Sequence, residues 1–430
     1  MNEVFNKPRL HIDVKSVLMD QSISIRVKGL IENQKITVRC KRTSYWGTKI
    51  YEMESYGIYK ANSSGVIDLH KTASIEGTYK GIDGMGLFWS MQIVSTKENN
   101  MEILDKLQPH IVFISIEEET QTIDTHIIER RWMDAAVTRT AVNEQGIVGT
   151  LFHSSNSIPK PTLLVGGRWI GRRDLRISCS LLASRGFNVL SLGYWGMDPL
   201  SSELVNIPLE LVGNAIQWLK QKKEIATDFI GMHGTSKGAE LALLAAVHFK
   251  EIKAVVALNG SPVALCGIVP WTDEAELPPA WTFEGKPISY ARRDNSVEIA
   301  KTCSALREAG KNPLRTWYDY LTADPEITKQ ATIPVENING PILLISGMED
   351  ACFDSVGLNE IAMKRLGTNK FKHEYEHLTY ERAGHEIGIP NISISASEFT
   401  GGTKFDTAQA SQDSWEKTID FFKRASHTEC

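Results

Sequence analysis

Three residues stand in one chain order at positions that could make a nucleophilic site. They are Ser236 in Gly234-Thr235-Ser236-Lys237-Gly238, Asp350 in GMED and His385 in ERAGHEIG. A serine hydroxyl is a weak nucleophile until a base takes its proton, and the base needs a carboxylate to fix its tautomer. The glycines at Gly234 and Gly238 would let Ser236 occupy a sharp turn from which its hydroxyl stands clear. The competing reading is an ordinary helix cap, which needs no partner elsewhere in the chain. Glu349 and Asp354 compete with Asp350 for the acid's role, while His373 and His377 read as satisfied or solvent-facing histidines. The order serine, acid, histidine suits a serine held at the carboxyl edge of a parallel sheet.

Acyl chemistry also requires donors for the tetrahedral oxyanion. The backbone N–H of Lys237, directly after the serine, is one candidate. Gly167, at the end of TLLVGG, is the second, because a glycine lets backbone approach the substrate closely. Arg168, Arg172 and Arg173 follow, and they either guide an anionic substrate or form a solvated basic loop.

The elements that must position these groups follow from hydrophobic patterning. TLLVGG (162–167), FNVLSL (187–192), FIGMHG (229–234), IKAVVAL (252–258) and PILLISG (341–347) are continuous apolar runs, as expected for parallel strands covered on both faces. Leu204, Leu211, Val212, Ala215, Ile216 and Leu219 make one helical stripe, and the stretch after Ser236 makes another. Strand–helix alternation predicts a doubly wound α/β sheet of α/β-hydrolase type over 136–430, with a cap-like insertion at about 264–335. Before it, SISIRVKGL, QKITVRCKR, GIYKAN and LFWSMQIV read as short strands separated by turns. This predicts an immunoglobulin-like β-sandwich over 1–135.

Composition bounds the partners. The 430 residues carry 47 basic and 52 acidic side chains, a formal charge of −5 without blocks of one sign. Neither nucleic acid nor an anionic membrane is expected as a partner. The six cysteines are scattered, as in reduced protein, and the start MNEVFNKPRL lacks a signal peptide's apolar core. The end HTEC is not a targeting or prenylation signal, so the expected location is the cytoplasm. No cluster of His, Cys and carboxylates has metal-ligand spacing, so neither a metal nor another cofactor is expected.

Taken together, GTYKGIDGMGLFWSM in the first domain and GTSKGAELAL, VVALNGS, ISGMED and AGHEIG in the second resemble one family. It is the group of acyl-CoA thioesterases that includes bile acid-CoA:amino acid N-acyltransferase. The resemblance implies an acyl-CoA substrate, Ser236, Asp350 and His385 as the triad, and thioester hydrolysis through an acyl-serine. It also implies that members transferring the acyl group to amines carry cysteine at the Ser236 position. Two alternatives use the same triad: transfer to an amine or alcohol acceptor, and carboxylesterase or peptidase action. The chain departs from its relatives after the acid, where Ala351 and Cys352 replace a second acid and a tryptophan.

Overall fold

The computed structural model describes residues 7–427 except 47, 99–104, 155–158, 168–173, 270–276 and 294–295. Its contacts divide into two compact units, Met1–Asp134 with Ile389–Ile394, and Ala135–Gly388 with Ser395–Cys430. No described helix is long and apolar enough to cross a membrane.

The first unit is built on strands. Arg9–Ile12, Ile25–Lys28 and Ile67–Asp68 form a three-stranded sheet. A seven-stranded sheet centres on the long hairpin Lys35–Trp46 and Lys49–Lys60, flanked by His110–Glu118 and Gln121–Arg131. Alternation along His110–Glu118 buries Val112, Ile114 and Ile116 and exposes Ile111 and Phe113, the period-two pattern of a sheet with one covered face. The sequence reading missed the strands between 110 and 131. The expected strand LFWSMQIV holds only from Gln92, where the strand Gln92–Glu98 begins; Gly86–Trp89 is a one-turn helix with Leu87, Phe88 and Trp89 all buried. Trp89 is held by Asp83, which accepts from its indole Nε1 at 2.8 Å. The backbone carbonyl of Trp89 accepts the Ile394 N–H at 3.0 Å, within the same unit.

The second unit is an eight-stranded sheet between layers of helices. Its strands are β1 (Val137–Glu144), β2 (Ile147–Ser154), β3 (Thr162–Gly167) and β4 (Asn188–Gly193), then β5 (Ile230–Thr235), β6 (Ile252–Leu258), β7 (Ile342–Gly347) and β8 (Tyr375–Tyr380). Their spatial order is β1-β2-β4-β3-β5-β6-β7-β8, antiparallel at β1–β2 and β2–β4 and parallel from β4 to β8. This doubly wound order is that of an α/β-hydrolase. The inner parallel strands are buried, whereas the edge strand β8 has no fully buried residue. All six residues of β7, and Ala254, Val255, Val256 and Ala257 of β6, are inaccessible.

The helices are α1 (Leu175–Ser184), α2 (Glu210–Lys220), α3 (Lys237–His248), α4 (Val297–Glu308), α5 (Leu314–Thr322), α6 (Pro325–Ala331), α7 (Ser355–Thr368) and α8 (Lys404–His427). On α2 the buried face is Val212, Ala215, Ile216, Trp218 and Leu219, whereas Leu204 lies before the helix and bridges Ile268. α3 is buried on nearly every side, which its run of Ala and Leu permits. Asp174, Asp324 and Asp354 cap α1, α6 and α7 by accepting backbone N–H bonds of the first turns.

Between β6 and β7, the short strand Trp281–Phe283, paired with Lys286–Pro287, packs into the main core, while helices α4 to α6 form a cluster with its own apolar centre. Trp317 and Leu321 of α5 pack there with Cys352 and Phe353 from the turn after β7.

The long α8 closes the sheet by placing Phe422 over Gly231 of β5. A Cβ on that glycine would lie 2.7 Å from the Phe422 ring. Phe422 also meets Phe187 edge-on at 6.3 Å. We expect Phe422→Ala to destabilise the second unit by about 3–5 kcal/mol in chemical denaturation, the usual cost of an emptied aromatic site. Phe405→Ala, on the exposed side of the same helix, should cost far less.

Candidate active site

The chain turns from β5 into α3 within a single residue. Ser236 has φ 56° and ψ −124°, a strained backbone for a residue with a side chain. The strain is held by fixed neighbours: the Ser236 N–H donates to the Leu258 carbonyl at 2.9 Å, and its own carbonyl accepts from Ala239 N–H at 2.9 Å. Glycine is required around it by crowding. A Cβ on Gly234 would stand 1.9 Å from the Gly238 carbonyl oxygen, and one on Gly238 would stand 2.6 Å from that of Gly166. Ser236 makes no side-chain capping bond to α3, so the cap reading falls.

The hydroxyl instead faces histidine. Ser236 Oγ lies 3.1 Å from His385 Nε2, and His385 Nδ1 donates to Asp350 Oδ2 at 2.8 Å. Asp350 and His385 are each only 3% exposed. Asp350 Oδ1 is occupied separately by the backbone N–H groups of Cys352 and Phe353, at 2.8 and 3.4 Å, which fixes the carboxylate's rotation. Burial works against a charged imidazole, but the adjacent Asp350 carboxylate outweighs it, and the His385 pKa is raised above the ordinary histidine value.

The other candidates separate on geometry. Glu349 is exposed beyond β7, and Asp354 is engaged as the α7 cap. His373 is exposed against Phe371. His377 is tied by Nδ1 to Glu360 at 3.1 Å and by Nε2 to Ser346 Oγ at 3.0 Å. His233, three residues before the serine, is buried, and burial lowers its pKa to about 4, which keeps it neutral.

Lys237 begins α3 directly after the serine, which puts its backbone N–H among the free donors of a helix start. Its side chain turns away: Nζ pairs with Glu240 at 2.9 Å and donates to the Leu265 carbonyl at 2.9 Å. Glu240, 1% exposed, also accepts from Trp281 Nε1 at 2.6 Å and Leu265 N–H at 3.2 Å. Burial raises its pKa, against the opposing pull of Lys237. This buried network ties α3 to the segment after β6. Gly167 closes β3 opposite Gly193 of β4. Arg168, Arg172 and Arg173 lie outside the described residues.

The sequence reading overlooked Asn259, although it lies in the VVALNGS motif. It ends β6 with φ 43° and is fully buried. Its Oδ1 accepts the Gly347 N–H at 3.1 Å, and its Nδ2 donates to the His385 carbonyl at 3.0 Å. One amide therefore joins the strand that delivers the acid to the loop that delivers the histidine. The turn is also gripped from α5 and the chain before it: Arg315 Nη1 donates to the Asp350 carbonyl at 3.2 Å and Asn312 Nδ2 to that of Ala351 at 2.7 Å. Phe353 stacks edge-on against His385 at 5.5 Å and against Tyr318 of α5 at 5.7 Å.

Among the described residues one group has the composition and closeness of metal ligands. It is Asp350, Cys352 and His385, whose ligand atoms lie within 4.8 Å of one another.

The sequence model described as BAAT / Acyl-CoA thioester hydrolase C terminal matches residues 207–428, and that described as Acyl-CoA thioester hydrolase/BAAT N-terminal region matches 20–144. The chain belongs to the acyl-CoA thioester hydrolase/BAAT family. It is 27% identical to acyl-coenzyme A thioesterase 1 of Mus musculus over 436 residues, covering 96% of this chain and 95% of that protein. It is 26% identical to acyl-coenzyme A amino acid N-acyltransferase 2 of Mus musculus over 431 residues, covering 95% and 96%. Among solved structures it is similar to the acylaminoacyl peptidase of Pyrococcus horikoshii, with a TM-score of 0.42 and 12% identity over 95% of this chain and 60% of that one.

Asn259→Ala removes both bonds of the junction and should cost about 1–3 kcal/mol of stability. It should also slow labelling of Ser236 by a fluorophosphonate probe roughly 10- to 10²-fold, the scale for a small misplacement of a catalytic group. Labelling at the wild-type rate would mean that Asn259 does not position the histidine.

Proposed function

We propose that this chain is a serine hydrolase that cleaves acyl-CoA thioesters to the free acid and CoA. The observation that carries the reading is the hydrogen-bonded chain Ser236–His385–Asp350 in a member of this family. His385 Nε2 takes the Ser236 proton as Oγ attacks the thioester carbonyl. The Lys237 and Gly167 N–H groups hold the oxyanion, and the intermediate collapses as His385 Nε2 passes that proton to the departing CoA sulfur, so that CoA leaves as its thiol. His385 then takes a proton from water, which attacks the acyl-serine, and returns it to Ser236 Oγ as the acid leaves. Asp350 keeps Nδ1 as the donor, leaving the Nε2 lone pair for the serine.

Identities of 27% and 26% to a thioesterase and an N-acyltransferase do not separate hydrolysis from transfer. A serine nucleophile favours hydrolysis. An acyl-serine ester relies on base-activated water, whereas an acyl-cysteine thioester is intrinsically open to amines. In this reading residues 136–430 are the catalytic domain, with 264–335 as its cap, and residues 1–135 are an immunoglobulin-like accessory domain without chemistry of its own. The cytoplasm is the proposed location, supported by five buried free cysteines.

The reading predicts that Ser236→Ala lowers acyl-CoA turnover at least ~10³-fold in a folded protein. Asp350→Asn should lose roughly 10³- to 10⁴-fold, because an amide favours the wrong tautomer, while Glu349→Gln stays near wild type. An oxyester analogue should turn over more slowly than its thioester, and glycine or taurine should not divert the product. Amide formation in that assay would make the chain a transferase.

The pH dependence follows from the raised His385 pKa. The neutral base is lost as pH falls through the raised value, so the acid limb of kcat/KM should lie above ~6.5, the unperturbed histidine value. A limb below that value would contradict the coupling to Asp350.

A further inference from the structure

We propose that Cys352, His385 Nδ1 and the Asp350 carboxylate form a site for a thiophilic divalent metal ion, zinc above all, and that its binding switches the enzyme off. The switching part rests on the hydrolase reading above; the site itself does not.

The turn after β7 is what brings the thiol in. The Cys352 N–H donates to Asp350 Oδ1 at 2.8 Å, which folds residue 352 back toward the carboxylate two positions earlier. Its Sγ donates to the Phe399 carbonyl at 3.3 Å. The sulfur, the imidazole nitrogen and a carboxylate oxygen then converge within 4.8 Å. All three residues are more than nine-tenths buried, with Cys352 7% exposed. Among the described residues this is the one such group, and it combines three different ligand types.

That combination selects the metal. Thiolate and imidazole together suit zinc and other borderline-soft ions, while calcium and magnesium prefer oxygen alone. Bond lengths of about 2.3 Å to sulfur and about 2.0–2.1 Å to nitrogen and oxygen put ligand atoms between 3 and 4 Å apart on a tetrahedron, by rough geometry. The three atoms lie within 4.8 Å of one another, so small side-chain shifts would bring them to that spacing. Three protein ligands leave the fourth position for water.

The consequence for His385 is a matter of proton bookkeeping. A neutral imidazole offers a lone pair on one nitrogen only, and at rest Nδ1 carries the proton donated to Asp350. A metal ion on Nδ1 needs that lone pair, so the proton moves to Nε2. The Cys352 thiol loses its own proton to solvent as the thiolate binds. Nε2–H can then only donate to Ser236 Oγ and cannot take its proton. The metal imposes the tautomer opposite to the one that Asp350 enforces.

The test has one arm independent of catalysis. Cobalt(II) added to the metal-free full-length chain should give a thiolate-to-cobalt charge-transfer band in the near ultraviolet. That band should vanish in Cys352→Ser and weaken in His385→Ala, with folding of each variant checked by circular dichroism and melting. In the second arm, zinc should inhibit acyl-CoA hydrolysis and a chelator should restore it. Cys352→Ser and Cys352→Ala, each scaled to its own metal-free rate, should need more than ~10² times as much zinc, since even losing a metal's outer partners costs 10- to 100-fold. The proposal is overturned by a wild-type protein without the band, by a band that survives in both Cys352 variants, or by zinc inhibition that they leave unchanged. A cobalt band that depends on Cys352 in a protein that hydrolyses no acyl-CoA would instead keep the site and remove the proposed function.

Discussion

Everything at this site depends on the lack of room at one corner of the chain. Ser236 keeps a left-handed backbone because β5 must hand over to α3 at once, under the ends of β3 and β6. The Gly238 position nearly touches the Gly166 carbonyl, and a Cβ on Gly260 would lie 2.2 Å from Ala239 Cβ. Three glycines at the ends of three segments thus let the backbones close around the serine. Left-handed strain of this kind costs of order 1–3 kcal/mol and persists only where the surroundings over-determine it. The buried sheet and the nearly all-apolar α3 provide that constraint.

The acid and base are held by different means. Their pairing is electrostatic, while the end of β7 and the histidine loop are joined by neutral hydrogen bonds through the Asn259 amide. This division has a pH consequence. A histidine whose folded pKa is raised stabilises the fold fully below its unfolded pKa, and that contribution is lost as pH rises through the folded value. The neutral base exists only over the same rise. His385 therefore becomes able to accept a proton as its charged pairing with Asp350 stops stabilising the fold, and the neutral bonds must then keep it in place.

Much of the second unit was legible because a parallel strand covered on both faces leaves an unbroken apolar run. TLLVGG and IKAVVAL coincide with β3 and β6 end to end. The serine, acid and histidine were legible because chain order and strand ends restrict the choices. The first unit was harder. The strand Gln121–Arg131 alternates polar with half-buried residues, so its pattern is faint, and the short apolar run at Leu87–Trp89 fits helix and strand equally. Asn259 was hidden because nothing local marks an amide whose partners lie 88 and 126 residues away. Cys352 was hidden for the same reason: its nearness to His385 is created by the fold across 33 residues and has no ligand spacing in sequence.

The way the chain between β6 and β7 holds the turn at Asp350 explains why a thiol can stand there at all. Arg315 and Asn312 bind the carbonyl oxygens of Asp350 and Ala351, and the Asp350 carboxylate is fixed by N–H groups of the next residues. Every one of these bonds to the turn uses its backbone or the acid itself. The side chains at 351 and 352 carry none of them; Cys352 packs with Trp317 and Phe353 and donates its thiol proton to the Phe399 carbonyl instead. In such a place a small, weakly polar residue fits as well as an apolar one. The turn thus fixes the position of Asp350 while leaving the side chain two residues on free of that task, and in this chain that position places sulfur beside the Asp350–His385 pair.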